Sequence, residues 1–118
     1  MTESPLVNKS IEFAIKIVKL YEYLCGQRKE FVMSKQILRS ATSIGANIHE
    51  ANYAVSRADF INKMQIALKE TSETEYWIIL LERTGYFSIE YRDIKDLCLS
   101  IKRLLIATLN TSKKVEKK

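Results

Sequence analysis

The chain contains few of the residues that break helices or hold metals. Its 118 residues include one proline, three glycines, two cysteines and one histidine. So little proline and glycine predicts long uninterrupted helices rather than a loop-rich fold. No run of about 18 apolar residues occurs, so no membrane span is expected. The first ten residues lack a basic segment followed by an apolar run, and we therefore expect no secretory signal.

The cysteines and the histidine argue against several kinds of site. Cys25 and Cys98 lie within apolar helical patterns, which predicts two buried free thiols in a cytoplasmic protein. A di-iron centre in a helix bundle needs a Glu-x-x-His step on two helices, but Ala46 stands three residues before His49. His49 has no cysteine or histidine at ligand spacing, so no zinc site is expected. With no nucleophile–histidine set and no glycine-rich phosphate loop, we expect neither an enzyme nor a bound cofactor.

The strongest periodic pattern in the chain lies at residues 37–55. Apolar residues recur there at steps of 4, 3, 4, 3 and 4, the spacing of a helix buried against partner helices. Small residues surround this seam, and Gly45 in its middle costs about 1 kcal/mol relative to alanine. We therefore expect another helix to approach closely at Gly45. The seam residues are Ile37, Ala41, Ile44, Ile48, Ala51 and Val55.

The pattern predicts four helices joined by short connections. Ser56 and Ser88 are placed to cap the third and fourth helices, and Gly85 is placed to end the third. Short connections favour an all-α fold, an antiparallel up-down-up-down four-helix bundle. The predicted helices cover approximately residues 5–24, 31–55, 56–84 and 88–111.

The positive charge of the chain is concentrated at its C-terminal end. Residues 113–118 carry four lysines and one glutamate, or +3 of the total +5, which leaves +2 for residues 1–112. We expect residues 1–112 to form the bundle domain and residues 113–118 a basic disordered tail. The tail either binds nucleic-acid phosphates or only keeps the protein soluble. The candidate nucleic-acid-binding residues are Lys102, Arg103, Lys113, Lys114, Lys117 and Lys118.

The third predicted helix is polar in its middle, even at the seam positions Thr71 and Thr74. Polar groups in a seam must be hydrogen-bonded or they destabilise the fold. If the second and third helices are antiparallel about a turn near residue 55, Arg39 lies level with Glu73. We predict that Arg39 pairs with Glu73 or Glu70. The predicted structural polar network comprises Arg39, Ser43, Asn47, Glu50, Glu70 and Glu73.

The first predicted helix has two adjacent apolar stripes, whereas one bundle seam needs only one. An exposed second stripe would form a larger apolar patch than a soluble monomer usually shows. We therefore predict that the chain self-associates into a closed ring. One stripe contains Ile11, Ala14, Val18, Tyr21 and Cys25, and the other contains Phe13, Ile17, Leu20 and Leu24.

Two long segments of the chain resemble a known bacterial family. The segments read LRSATSIGANIHEA at residues 38–51 and SRADFINKMQIALKETSETEYWIILL at residues 56–81. They are similar to the 23S rRNA intervening-sequence proteins, four-helix bundles encoded within large-subunit ribosomal RNA genes and elsewhere in genomes. The resemblance implies an antiparallel bundle that assembles as a homopentamer. A related branch is the accessory protein of diversity-generating retroelements, which works with a reverse transcriptase and nucleic acid.

The residues and the resemblance together predict a cytoplasmic, non-enzymatic homo-oligomer without a metal, a cofactor or a membrane partner. Two functions stay open. The protein binds RNA or a nucleoprotein, or it is purely a protein-binding scaffold.

Overall fold

The computed structural model has the predicted helix order, with one additional short turn before the last helix. It describes residues 4–116, except for the side chains of residues 89, 115 and 116. No strand occurs within this part of the chain, so the all-α prediction is confirmed there. The elements are α1 (Pro5–Gly26), α2 (Met33–Ala51), α3 (Arg57–Arg83), a 3-10 turn (Ile89–Tyr91) and α4 (Arg92–Glu116).

Serine side chains cap the beginnings of α1 and α3. The Oγ of Ser4 accepts a hydrogen bond from the Val7 N–H at 3.1 Å, and Pro5 occupies the first turn of α1. At α3, the Oγ of Ser56 accepts from the Asp59 N–H at 3.0 Å. These bonds satisfy backbone donors that have no partner within their own helix. The predicted cap at Ser56 is therefore confirmed.

The beginning of α2 is held by Glu30, which sequence reasoning missed. Its buried carboxylate accepts from the Ser34 N–H at 2.7 Å and from the Val32 and Met33 N–H groups at 3.1 Å each. Burial alone would raise the pKa of Glu30, but these backbone donors lower it below its ordinary value. A buried carboxylate thus fixes the point at which the chain enters α2.

Two predicted boundaries in the middle of the chain need correction. α2 ends at Ala51, and Val55 is 92% exposed, so Val55 does not belong to the buried seam. The cause is local, because Asn52 and Tyr53 donate to carbonyls three residues back and the helix tightens into a turn. Ser88 does not cap α4, because the 3-10 turn intervenes and its buried Oγ has no hydrogen-bond partner in the described part of the chain.

The C-terminal end is helical where a disordered tail was predicted. α4 continues to Glu116, so residues 113–116 extend the bundle helix. Ser112 is buried and its Oγ donates to the Thr108 carbonyl at 2.9 Å, which anchors this last part of α4. Residues 117 and 118, the remainder of the predicted tail, lie outside the described residues.

Gly85 ends α3, as the sequence predicts. Its φ of +81° lies in the left-handed region that glycine adopts without strain. This conformation turns the chain so that the Tyr86 N–H donates to the Leu81 carbonyl at 2.9 Å, the hydrogen bond of a Schellman motif. The chain then leads into the 3-10 turn that precedes α4.

Polar contacts between α2 and α3 show that neighbouring helices run in opposite directions. Arg39, early in α2, contacts Glu73, whereas Glu50 near its end pairs with Lys63 at 3.0 Å. The partner numbers on α3 fall as those on α2 rise, which is the order of an antiparallel pair.

The α3–α4 pair has the same order. Glu75 pairs with Lys102 at 2.9 Å, and Glu82 pairs with Lys95 at 3.1 Å. α1 completes the bundle by packing against α2 and α4, and Lys16 of α1 pairs with Asp93 of α4 at 2.7 Å. The resulting molecule measures 51 × 24 × 22 Å.

The core consists of one apolar row from each helix. Of the two stripes on α1, the row of Phe13, Ile17, Leu20 and Leu24 is fully buried. It meets the predicted α2 seam, which is buried from residue 37 to residue 51. Core residues of the other two helices include Ala67, Ile78, Leu81, Ile94, Ile101 and Leu105.

Gly45 lies where α1 approaches α2, as predicted. A Cβ atom at this position would lie 3.6 Å from the Ser10 Oγ and 3.7 Å from the Ser10 carbonyl oxygen. These are ordinary van der Waals distances, so there is room for one methyl group and little more.

We predict that Gly45→Ala keeps or raises the free energy of unfolding, by up to about 1 kcal/mol, because alanine favours helix over glycine. Gly45→Leu should lower it by about 1–3 kcal/mol, because the added carbons must displace α1. Urea unfolding followed by circular dichroism measures both changes. Gly26→Leu is the control, since a Cβ at Gly26 meets no atom within 4 Å. A Gly45→Leu protein as stable as the parent would contradict the close packing.

Candidate functional site

The predicted polar network forms on the solvent side of the α2–α3 contact. Arg39 contacts both predicted carboxylates, with its Nη1 3.4 Å from the Glu70 Oε1 and its Nη2 bonded to the Glu73 Oε2. The same Glu73 oxygen accepts from the Trp77 Nε1 at 3.0 Å. The Arg39 side chain is 50% exposed, so this cluster is a surface network that borders the core.

The network favours the charged forms of its members. The hydrogen bond from Arg39, followed by that from Trp77, lowers the pKa of Glu73 below its ordinary value. The hydrogen bond to Glu73 likewise raises the pKa of Arg39. Both residues are therefore held as an ion pair, and both pKa values move away from the near-neutral range that suits a general acid or base.

The other predicted members of the network act locally. The Ser43 Oγ donates to the Arg39 carbonyl, and the Asn47 Nδ2 donates to the Ser43 carbonyl, each at 2.8 Å. Both bonds are to carbonyls of α2 itself, so these side chains do not satisfy groups on α3. Glu50 pairs with Lys63 at 3.0 Å, nearer the end of α2. The charged members thus form two separate ion-pair clusters, while Ser43 and Asn47 make hydrogen bonds within α2.

The buried polar contact between α2 and α3 is made by Ser40 and Thr74. Their hydroxyl oxygens lie 2.8 Å apart, and both residues are fully buried. The Thr74 hydroxyl also donates to the Glu70 carbonyl at 2.8 Å, so it accepts from Ser40. The sequence predicted that Thr74 needs a hydrogen-bond partner. It did not identify Ser40 as that partner, because the choice depends on the register of α2 against α3.

The predicted cations on α4 divide into paired and unpaired residues. Lys102 pairs with Glu75 at 2.9 Å, so its charge is compensated within the bundle. Arg103, Lys113 and Lys114 are exposed and make no ion pair within the described residues. Lys117 and Lys118 lie outside those residues. Arg103 precedes Lys113 and Lys114 by ten and eleven residues, which is close to three helical turns. The unpaired cations therefore lie along one outer face of α4.

A second exposed feature is the apolar outer face of α1. Ile11 is 54% exposed, Ile15 is 53% exposed and Val18 is 42% exposed. Ile11 and Val18 belong to the predicted α1 stripe that lies beside the buried row of Phe13 and Ile17. Ile11 and Ile15 line a shallow groove of about 350 Å³ with Lys19 and neighbouring polar residues of α1. The core therefore leaves part of this stripe uncovered.

The single histidine is an exposed side chain at the end of α2. The ring of His49 lies 5.5 Å from that of Tyr53, and both residues face solvent. Among the residues that the structure describes, no group of three or more His, Cys, Asp or Glu side chains could hold a metal ion. Burial raises the pKa of the Cys98 thiol to about 12, so this thiol is not a reactive nucleophile.

The chain is similar to proteins of a known family. A family model described as 23S rRNA-intervening sequence protein matches residues 2–107. The chain belongs to the 23S rRNA-intervening sequence protein family. It is similar to a crystal structure of a protein of unknown function from the S23 ribosomal protein family of Bacteroides thetaiotaomicron, at 58% sequence identity and a TM-score of 0.86. That match covers 89% of this chain and 95% of the other. No curated protein matches the chain.

Membership of the 23S rRNA-intervening sequence protein family confirms the resemblance found in residues 38–51 and 56–81. Neither the family description nor that of the solved relative names an enzymatic activity. The relation to the accessory protein of diversity-generating retroelements stays a prediction. Over residues 4–116, no helix is long and apolar enough to cross a bilayer.

We predict that Glu73→Gln lowers the free energy of unfolding at pH 7 by at most about 1 kcal/mol, because the pair is half exposed and screened by solvent. The folded-state pKa of Glu73 is lowered. Its contribution is therefore complete above the unfolded value of about 4.3 and is lost as the pH falls through the folded value.

The parent should accordingly lose more stability than Glu73→Gln as the pH is lowered from about 5 to about 3. Urea unfolding at a series of pH values measures this difference. Glu22→Gln serves as the control, because Glu22 is exposed and makes no ion pair within the described residues. Parallel pH profiles for the parent and Glu73→Gln would contradict the assignment.

Proposed function

We propose that this protein is a cytoplasmic, non-catalytic four-helix bundle that self-associates through α1 and binds nucleic acid through α4. The two surfaces are different in chemistry and lie on different helices. One is an apolar row, and the other is a row of cations without carboxylate partners among the described residues. Each surface supports one part of the proposal.

Self-association is supported by the exposed Ile11, Ile15 and Val18. Covering apolar surface is favourable by about 25 cal/mol per Å² removed from water. A row of two isoleucines and a valine along two turns of one helix matches the width of a helix–helix contact. A closed ring satisfies such a surface on every subunit without leaving a free end. A ring of five subunits is the expectation that comes from the family resemblance.

The observation that carries the nucleic-acid part is the unpaired basic face of α4. Arg103, Lys113 and Lys114 project from a helix and not from a disordered tail, so their spacing is defined before any ligand binds. Such preorganisation reduces the entropy lost on binding. A ring would repeat this face on each subunit, and multivalency could then raise avidity by 10²–10⁴. Lys102 is excluded from the proposed site because Glu75 neutralises it.

RNA is the first nucleic acid to test. The family description refers to 23S rRNA, and the solved relative is assigned to a ribosomal protein family. Lysine and arginine contacts to phosphate do not read sequence, so the proposal concerns binding without sequence preference.

The alternative is a protein-binding scaffold. It is favoured by exposed apolar side chains at the opposite end of the bundle, where Phe31 is 56% exposed and Val32 is 72% exposed. These residues lie in the connection between α1 and α2, outside the α1 row. A protein partner could bind there whether or not nucleic acid binds α4.

We predict that replacing Arg103, Lys113 and Lys114 together by glutamine weakens binding to single-stranded RNA. It should also flatten the salt dependence by about 0.7 in log–log slope for each phosphate that the variant no longer neutralises. Fluorescence anisotropy at about 50 and about 200 mM salt measures both effects. A chain ending at Thr111 should show the same direction of change, because it removes the last basic turn of α4 and the residues that follow.

The matched control replaces Lys35, Arg83 and Arg92 by glutamine, which removes the same charge from the opposite end of the bundle. These three residues are exposed and make no ion pair among the described residues. If this control weakens binding as much as the α4 variant, net charge and not the α4 face is responsible. If the parent does not bind RNA at the lower salt, the scaffold alternative replaces the proposal.

A further inference from the structure

The turn between α2 and α3 presents an exposed aromatic ring on an ordered backbone. Tyr53 is 68% exposed. Its N–H donates to the Glu50 carbonyl at 3.0 Å, and the next N–H donates to the Ala51 carbonyl at 3.1 Å. On the far side of the turn, the Val55 N–H donates to the Asp59 Oδ2 at 3.2 Å. These hydrogen bonds order the backbone on both sides of Tyr53, and its ring contacts only the exposed ring of His49 among the ring contacts of the described residues, at a centroid distance of 5.5 Å.

The same end of the bundle gathers cations from two helices. Arg57 is the first residue of α3, four residues after Tyr53, and it is exposed. Arg57, Phe60 and Ser112 line one open groove of about 440 Å³. Since Lys113 and Lys114 directly follow Ser112, this groove places the start of α3 beside the last basic turn of α4.

Two carboxylates beside the α2–α3 turn already have partners. Glu50 pairs with Lys63, and Asp59 accepts a backbone N–H at the beginning of α3. Arg57, Lys113 and Lys114 make no ion pair with any side chain that the structure describes, so we take their charge as available to an external anion. We call Tyr53, Arg57, Lys113 and Lys114 the Tyr53 end.

We propose that the Tyr53 end selects single-stranded over double-stranded nucleic acid. In this arrangement an unpaired base stacks on the Tyr53 ring while the adjacent phosphates contact Arg57, Lys113 and Lys114. Aromatic rings beside a basic groove are the usual platform for single strands, because every base has a face that can stack. A duplex offers the same phosphates, but its base faces are covered by neighbouring bases. This inference rests on the proposed function and adds the strand type to it.

Tyr76 shows that exposure of a tyrosine alone is not sufficient. It is 56% exposed, but its ring packs edge-on against Trp77 at a centroid distance of 5.0 Å. Its chain neighbours Glu73 and Glu75 are ion-paired with Arg39 and Lys102, so the cations near Tyr76 already have carboxylate partners. Tyr76 is therefore a matched control, similar in chemistry and exposure but beside cations that are already paired.

The test measures binding of the full chain to a single-stranded RNA of about 20 nucleotides and to the duplex made with its complement, by fluorescence anisotropy. Tyr53→Leu should weaken single-strand binding about tenfold and change duplex binding less than about twofold. Tyr53→Phe should retain single-strand binding, because the ring remains. Tyr76→Leu should bind both RNAs as the parent does.

The possible failures are distinguishable. If Tyr53→Leu and Tyr76→Leu bind the single strand equally well while the α4 variant does not bind, the Tyr53 end is overturned and the proposed function stands. If the parent binds duplex as tightly as single strand, the strand selection is likewise overturned. If the parent binds neither RNA, both the inference and the nucleic-acid function fail.

Discussion

The buried hydrogen bond between Ser40 and Thr74 is the constraint on which the arrangement of the helices depends. It crosses a seam that also buries Thr71. Its net contribution is about 1 kcal/mol, because the Thr74 hydroxyl also donates to the Glu70 carbonyl of its own helix. A shift of α2 along α3 by one turn would separate the two hydroxyls and would end the simultaneous contact of Arg39 with Glu70 and Glu73. The polar contacts thus specify one register, while the apolar rows on either side supply most of the stabilisation.

Once that register is fixed, it determines which side chains of the bundle remain on the surface. α1 buries the row that contains Phe13 and Ile17, so its isoleucines at 11 and 15 face solvent. The antiparallel order also brings the turn after α2, the start of α3 and the end of α4 to one end of the molecule. The exposed apolar row of α1 and the basic, aromatic end of the bundle are therefore two separate surfaces.

Apolar spacing predicted the four helices and the α2 seam, because helical periodicity records which face is buried. Counting residues outward from the turn predicted the Arg39 pair, because both helices are regular. The prediction wrongly placed Val55 in the α2 seam because Val55 fits the same apolar spacing, although Ser56 directly after it caps a new helix. The charged end of α4 was expected to be disordered, but lysine and glutamate favour helix and Ser112 is buried. The groove shared by Arg57 and Ser112 depends on how α3 meets α4, which local patterns do not encode.

The central claim is that the exposed row on α1 is covered by further copies of this chain. Multi-angle light scattering at micromolar concentration tests it most directly, with Ile15→Lys on α1 compared with Ile106→Lys on α4. Ile106 is also exposed, at 41%, but lies outside the α1 row. The account predicts a parent mass that is a multiple of 13.7 kDa, about five times that value for a pentamer. It also predicts a lower mass for Ile15→Lys and no change for Ile106→Lys. A parent mass of 13.7 kDa would contradict the account.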